Sequence, residues 1–160
     1  NERLDWVDLI DTDGTYSRYH PRDEDFAYKK SPFQKGGTII TRAGFRLKPG
    51  IPESIRSLMD EHARDREEKG HFRYPSAGSV FKNDRAFGMP SGKLIDTAGL
   101  KGKRIGGAMI APFHGNIIVN TGSATASDIL ALIRLAEEEV DRVFGFKLER
   151  EVLLVGAWNT

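Results

Sequence analysis

Residues 105–145 read IGGAMIAPFHGNIIVNTGSATASDILALIRLAEEEVDRVFG. Two short apolar runs, 105–110 and 117–120, predict two strands joined by a turn at His114-Gly115-Asn116. Thr125 and Asp128 resemble a capping box, the pattern that opens a helix. Ile129, Ile133, Ala136, Val140 and Phe144 then recur at helical spacing, and Gly145 closes the run. Glu137, Glu138 and Glu139 lie close together on this helix and read as a solvated region. Strands and helices follow one another without a regular βαβ alternation, so the fold class is α+β.

Outward from this stretch the pattern stays mixed. Residues 6–12 and 15–19 read as two strands around the hairpin signal Asp13-Gly14. Residues 20–25 suit one helical turn. Ser31-Pro32 and Gly36-Gly37 mark a loop, and 38–47 alternates, with Ile39, Thr41, Ala43, Phe45 and Leu47 on one face. Lys48-Pro49-Gly50 is the candidate domain boundary. Beyond it Ile55, Leu58, Met59, His62, Ala63 and Arg66 fall at helical spacing, stopped at Gly70. Residues 71–83 read as a loop entering a short strand. Leu94, Ile95 and Ala98 suggest a short helix ended by Gly99, and 147–155 a final strand.

Composition narrows the function. The chain has 160 residues with 24 Lys and Arg against 23 Asp and Glu, a formal charge of +1. That balance gives no general attraction to nucleic acid or to an anionic membrane. The basic cluster Lys101, Lys103 and Arg104 is short and has no neighbouring aromatics for base stacking, so a nucleic-acid module is disfavoured. No cysteine is present, which excludes disulfide scaffolds and thiolate metal sites and fits a reducing cytosol. No apolar run approaches the roughly 20 residues of a membrane span. His20, His62, His71 and His114 lack metal-ligand spacing, so no metal site is expected. His62 reads as a packed or partly exposed histidine.

The most informative stretch for chemistry is Tyr74-Pro75-Ser76-Ala77-Gly78-Ser79-Val80-Phe81-Lys82-Asn83. Gly78 lets a backbone or planar ligand approach closely, and Ser79 presents a hydroxyl beside it. By residue type alone, Ser79 is a turn serine bonding its own backbone, and Glu151 is an exposed strand carboxylate.

The blocks themselves point further. Pro75 to Asn83, Gly92-Lys93-Leu94-Ile95-Asp96, Ala98-Gly99-Leu100-Lys101-Gly102, Ile105-Gly106-Gly107-Ala108, and Ile118-Val119-Asn120-Thr121-Gly122 with Ala124-Thr125-Ala126 resemble, in order and spacing, the UDP-N-acetylenolpyruvoylglucosamine reductase (MurB) family. Phe26-Ala27-Tyr28-Lys29-Lys30-Ser31-Pro32-Phe33 resembles the segment that closes that family's flavin-binding domain. The resemblance implies that 1–48 is the tail of the flavin-binding domain and 49–160 the C-terminal substrate-binding domain. The Gly-rich flavin pyrophosphate segment, which the family carries earlier, is not in this sequence and is the expected partner. About 19 positions separate Leu47 from Arg66, and one helix fills them. The chain therefore looks like the shorter subclass, without the tyrosine-bearing insertion.

The function so implied is NADPH-dependent, FAD-mediated reduction of UDP-N-acetylglucosamine enolpyruvate to UDP-N-acetylmuramate, a cytoplasmic step of peptidoglycan precursor synthesis. Residue by residue, the resemblance implies three catalytic positions: Ser79 matches the family's proton donor, Lys29 the position of its catalytic arginine, and Glu151 its C-terminal glutamate, which either stabilises the enolate by hydrogen bonding when protonated or sets the geometry. Arg66, Lys69, Lys82, Asn83 and His114 fall at substrate-binding positions, His114 having a glutamine counterpart in the longer members. Gly78 and Ser79 fall where the cofactor is approached, and Lys93 sits in a family block that can meet phosphate or carboxylate. The chain departs from the family at Lys29, which lacks the bidentate fork of arginine, at Gly70-His71, at Asp84 and at Arg150. Lys29 leaves open a second reading, a non-catalytic relative that binds the nucleotide sugar.

Overall fold

The computed structural model describes residues 3–158; positions 1–2 and 159–160 of the two expected segments lie outside the described residues. Two compact units are present, Asn1–Arg56 and Ser57–Thr160, and they divide within the first helix.

The first unit is a three-stranded antiparallel sheet in the order β2-β1-β3. β1 (Leu4–Asp11) and β2 (Tyr16–Tyr19) form the expected hairpin. Its turn is fixed by Asp13, whose Oδ1 accepts from Thr15 N at 2.9 Å. β3 (Thr38–Phe45) pairs with the other edge of β1. Asp8 on the central strand is fully buried. Arg18 Nε and Nη2 donate to its two oxygens at 2.7 and 3.0 Å, and Arg42 Nε lies 3.2 Å away. A buried carboxylate is tolerated because it is paired in this way. The Arg18 guanidinium also sits 4.0 Å over the Trp6 ring. The expected turn in 20–25 is a 3-10 turn at Asp23–Asp25. The apolar face predicted for β3 is exposed, with Ile39 at 68 % and Phe45 at 63 %.

α1 (Pro52–Glu68) follows the predicted helix. Gly70 takes a left-handed φ of 83°, and His71 N donates to Arg66 O at 3.0 Å, the closure expected of a glycine stop. The helix buries none of its residues, so Ile55, Leu58, Met59 and His62 lie exposed.

The second unit carries the main core. A four-stranded antiparallel sheet runs β4-β7-β6-β5, from β4 (Ser76–Ser79), β5 (Arg104–Ile105), β6 (Ala108–Ile110) and β7 (Ile117–Asn120). α2 (Ser91–Thr97) and α3 (Ala126–Phe144) bring Leu94, Ile95, Leu132, Ile133, Ala136 and Val140 into one buried cluster with Phe81, Ile110 and Ile118. Each fully buried Leu, Ile, Val or Phe among them contributes about 1.5–3 kcal/mol. The capping box holds as predicted. Thr125 Oγ1 accepts from Asp128 N at 3.1 Å, and Asp128 accepts from Thr125 N at 2.9 Å.

Three expectations are corrected. The run 105–110 is not one strand but a tight hairpin, β5 to β6, turning at Gly106-Gly107. Two consecutive glycines are a two-residue hairpin signal inside an apolar run. Gly107 also packs so closely that a Cβ would collide with Ala124 N and the Ser123 carbonyl. The run 147–155 is not a strand; it makes one isolated bridge, Arg150 to Phe81, beyond the end of β4. Glu137 is not simply solvated. Arg150 grips it with Nε at 2.5 Å and Nη2 at 2.6 Å, and only 26 % of the Glu137 side chain is exposed.

Candidate active site

Ser79 ends β4 just past a bulge. Ser76 pairs with Val119 and Ser79 with Ile117, so β4 spends three steps where β7 spends two. Gly78 absorbs the extra residue at a left-handed φ of 82°, and the bulge re-aims the serine that follows. A Cβ built on Gly78 meets no atom within 4 Å, so its backbone edge is open.

The chain after Ser79 is fixed on both sides. Val80 N donates to Asn116 O at 2.9 Å. Phe81 N donates to Asn116 Oδ1 and Asn116 Nδ2 donates to Phe81 O, both at 2.8 Å. From the other side Glu151 N donates to Val80 O at 2.8 Å and Lys82 N to Glu149 O at 2.9 Å. Ser91 Oγ donates to Lys82 O at 2.5 Å, and Ser91 N donates to Asn83 Oδ1 at 2.9 Å. A serine carried by a backbone satisfied at each step keeps its position, which placed catalytic groups require.

Two adjoining cavities meet at Ser79 and His114. One, of about 330 Å³, adds Asn83, Lys93, Asp96 and Lys101. The other, of about 780 Å³, adds Arg66, His71, Tyr74 and Gly78. These volumes are in the range of small-molecule sites. Asp96 lies between two lysines, 3.7 Å from Lys93 and 3.6 Å from Lys101. With Arg66, the lining is net cationic and suits an anionic ligand.

The structure thus brings together Ser79, Gly78, Asn83, His114 and Arg66. Lys93 is there as well. Lys69 and Lys82 line neither cavity. Lys69 pairs with Asp65 at 2.7 Å. Lys82 pairs with Glu149 at 2.5 Å. Glu151 approaches the site through its main chain at Val80, one residue from Ser79. Lys29 lies in the first unit, in a two-residue turn closed by Ala27 and Lys30. It is non-glycine yet takes a left-handed φ of 57°, and Gln34 Nε2 donates to its carbonyl at 3.1 Å.

Sequence reasoning missed Lys101, His71, Asp96 and Asn116 as parts of this site. Asp96 and Lys101 lie in the family-like blocks, His71 at a departure from the family and Asn116 in a predicted turn, but residue type alone gives none of them a site role. His114 is held below the ordinary histidine value, first by desolvation of its ring and then by His71, with Lys101 assisting and a main-chain hydrogen bond at His114 opposing. Among the described residues, no group of three or more His, Asp or Glu side chains is arranged to hold a metal ion. Among the described residues, no helix is long and apolar enough to cross a membrane.

The chain is similar to known proteins along most of its length. Residues 70–155 match the family model described as UDP-N-acetylenolpyruvoylglucosamine reductase, C-terminal domain. The chain is 46 % identical to the UDP-N-acetylenolpyruvoylglucosamine reductase of Treponema denticola, over 99 % of this chain and 53 % of that protein. It is 45 % identical to the reductase of the same name from Treponema pallidum, over 91 % of this chain and 43 % of that protein. The crystal structure of the reductase from Thermus caldophilus superposes with a TM-score of 0.72 at 39 % identity, covering 93 % of this chain and 52 % of that one. The chain spans about half the length of the curated relatives it matches.

Proposed function

The chain belongs to the UDP-N-acetylenolpyruvoylglucosamine reductase family, and from that premise we propose that it supplies the substrate-binding half of an enzyme reducing UDP-N-acetylglucosamine enolpyruvate to UDP-N-acetylmuramate in the cytoplasm. In this reading 1–48 closes the flavin-binding domain and 49–160 is the substrate-binding domain. The observation that carries it is Ser79 at the meeting point of two cationic cavities, next to the bare backbone of Gly78.

FAD, reduced by NADPH, is the group that supplies the hydride when bound, and the open edge at Gly78 and Ser79 is the part of this chain that fits its flat ring. The rest of the chemistry belongs to the side chains. The enolpyruvyl double bond gains a hydride at its terminal carbon, and the neighbouring carbon then takes a proton. Ser79 Oγ–H gives that proton and is refilled from solvent. A serine is a weak acid, but the enolate-like intermediate is a strong base, so placement matters more than acidity. Charge on the intermediate spreads into the substrate carboxylate, and the family resemblance assigns the counter-charge there to Lys29. Glu151, tied through its main chain to Val80, lies on the segment beside the serine and sets geometry there. Arg66, Lys93 and Asn83 line the space open to the diphosphate and sugar.

The test is single-turnover kinetics on the complete protein. Ser79→Ala leaves flavin reduction by NADPH intact and slows reoxidation by the enolpyruvyl sugar about 10²–10⁴-fold, the usual worth of a placed proton donor. Equal losses in both half-reactions would assign Ser79 to flavin placement instead. A native protein that binds the sugar nucleotide without substrate-dependent reoxidation would favour the non-catalytic reading.

A further inference from the structure

One ring nitrogen of His114 is already committed. Nδ1 lies 3.1 Å from the main-chain nitrogen of Asn116. That nitrogen is a fixed N–H donor, so Nδ1 accepts, and the neutral ring carries its proton on Nε2. Asn116 has little freedom to turn aside. It is 3 % exposed, its carbonyl accepts from Val80 N at 2.9 Å, and its carboxamide holds both polar main-chain groups of Phe81. Protonating the ring would set two donors against each other across that 3.1 Å contact.

The surroundings act in the same direction. The His71 ring centroid is 6.3 Å away. Lys93 and Lys101 share one cavity wall with His114, and Arg66 the other. The carboxylate in that lining, Asp96, is already divided between the two lysines. A further positive charge on His114 would meet like charge on both sides.

We propose that His114 meets its ligand as a neutral hydrogen-bond donor through Nε2–H, and not as a cation, with the main-chain N–H of Asn116 fixing the tautomer. The acceptor is an oxygen of the sugar nucleotide next to Ser79; that assignment rests on the proposed function, whereas the tautomer does not. The site then separates two jobs. Arg66 and the lysines supply charge, and His114 supplies direction.

Two measurements on the complete protein test this. Long-range proton–nitrogen correlation with labelled histidine, without ligand, reads the tautomer, with His114 assigned by its loss in His114→Gln. The expected pattern at pH 7 is an unprotonated Nδ1 and a protonated Nε2. A proton on Nδ1, alone or with Nε2, would overturn the proposal. Calorimetric titration with UDP-N-acetylglucosamine enolpyruvate reads the donor. His114→Ala weakens binding about five- to tenfold, the worth of one neutral hydrogen bond. His114→Gln, whose amide nitrogen reaches close to the place of Nε2, recovers most of that loss although it never ionises. Equal weakening in both variants, or none in His114→Ala, would remove the donor role. If the native protein does not bind the sugar nucleotide at all, the functional reading fails and the tautomer measurement still decides the proposal about the ring.

Discussion

Asn116 replaces a neighbouring strand for Phe81. Its carboxamide accepts from Phe81 N and donates to Phe81 O, each at 2.8 Å, across 35 positions of sequence. Both residues are buried, so no water stands ready to take over. Asn116→Ala leaves two buried main-chain groups unpaired, at about 1–3 kcal/mol each. Urea unfolding should show a lower midpoint with an unchanged slope. A loss well under about 1 kcal/mol would mean that the segment re-pairs on its own.

Asp8 makes a pH prediction for the first unit. The Arg18 hydrogen bonds are the largest cause holding its carboxyl down, from 3.8 to about 2, with burial opposing and Tyr16 and Arg42 assisting. A folded value below the unfolded one means stability that is present above pH 3.8 and is lost as pH falls toward 2. The native chain should therefore exceed Asp8→Asn in stability at neutral pH, and the gap should close between about pH 4 and pH 2. Trp6 lies under Arg18, so its fluorescence in a Trp158→Phe background follows the transition. A gap that does not change with pH would show that the ionised form of Asp8 contributes nothing.

Arg66 and Lys69 differ in their surroundings although their spacing suggests a shared anion. Arg66 lines the larger cavity, while Lys69 holds Asp65 at 2.7 Å on an exposed stretch. Arg66→Ala should weaken sugar-nucleotide binding about tenfold, as loss of a charged hydrogen bond does. Lys69→Ala should change it less than twofold, since an exposed ion pair is worth about 1 kcal/mol or less and acts on stability alone. Titration calorimetry on both variants distinguishes them, and equal weakening would return Lys69 to the site.

What was legible in the sequence followed the range of the forces involved. The capping box at Thr125 and Asp128, the α3 stripe and the Gly70 stop are written within a few positions, and each appears as expected. The Pro75 to Asn83 block suggested a site only through its resemblance to the family, because by residue type alone Ser79 reads as a turn serine. The hairpin at Gly106-Gly107 was hidden by an apolar run that continues on both sides. The extended segment after Lys147 looked like a strand, but Phe81 meets it at one bridge while Asn116 occupies the opposite side. Asn116, Lys101 and His71 acquire their roles only when distant segments meet, and no local pattern announces that.

Lys29 gives the last prediction, because its backbone and its proposed role pull against each other. A lysine at φ 57° stands where an L side chain crowds its own carbonyl, at a cost of about 1–2 kcal/mol. Glycine would relieve that cost, less the entropy it gains in the unfolded chain, so Lys29→Gly should be neutral to slightly stabilising, by up to about 1 kcal/mol. The same change removes the cation proposed to offset the substrate carboxylate. Turnover in the complete protein should therefore fall steeply in Lys29→Gly and Lys29→Ala while thermal stability rises only in the glycine variant. Lys29→Arg keeps the charge and adds the planar fork, so it should retain most of the rate. Single-turnover reoxidation beside a thermal melt reads both properties in one set of variants. Full turnover in Lys29→Gly would show that the strained turn serves the fold and not the chemistry. Low turnover in the native protein, restored by Lys29→Arg, would show that lysine at this position had idled the enzyme.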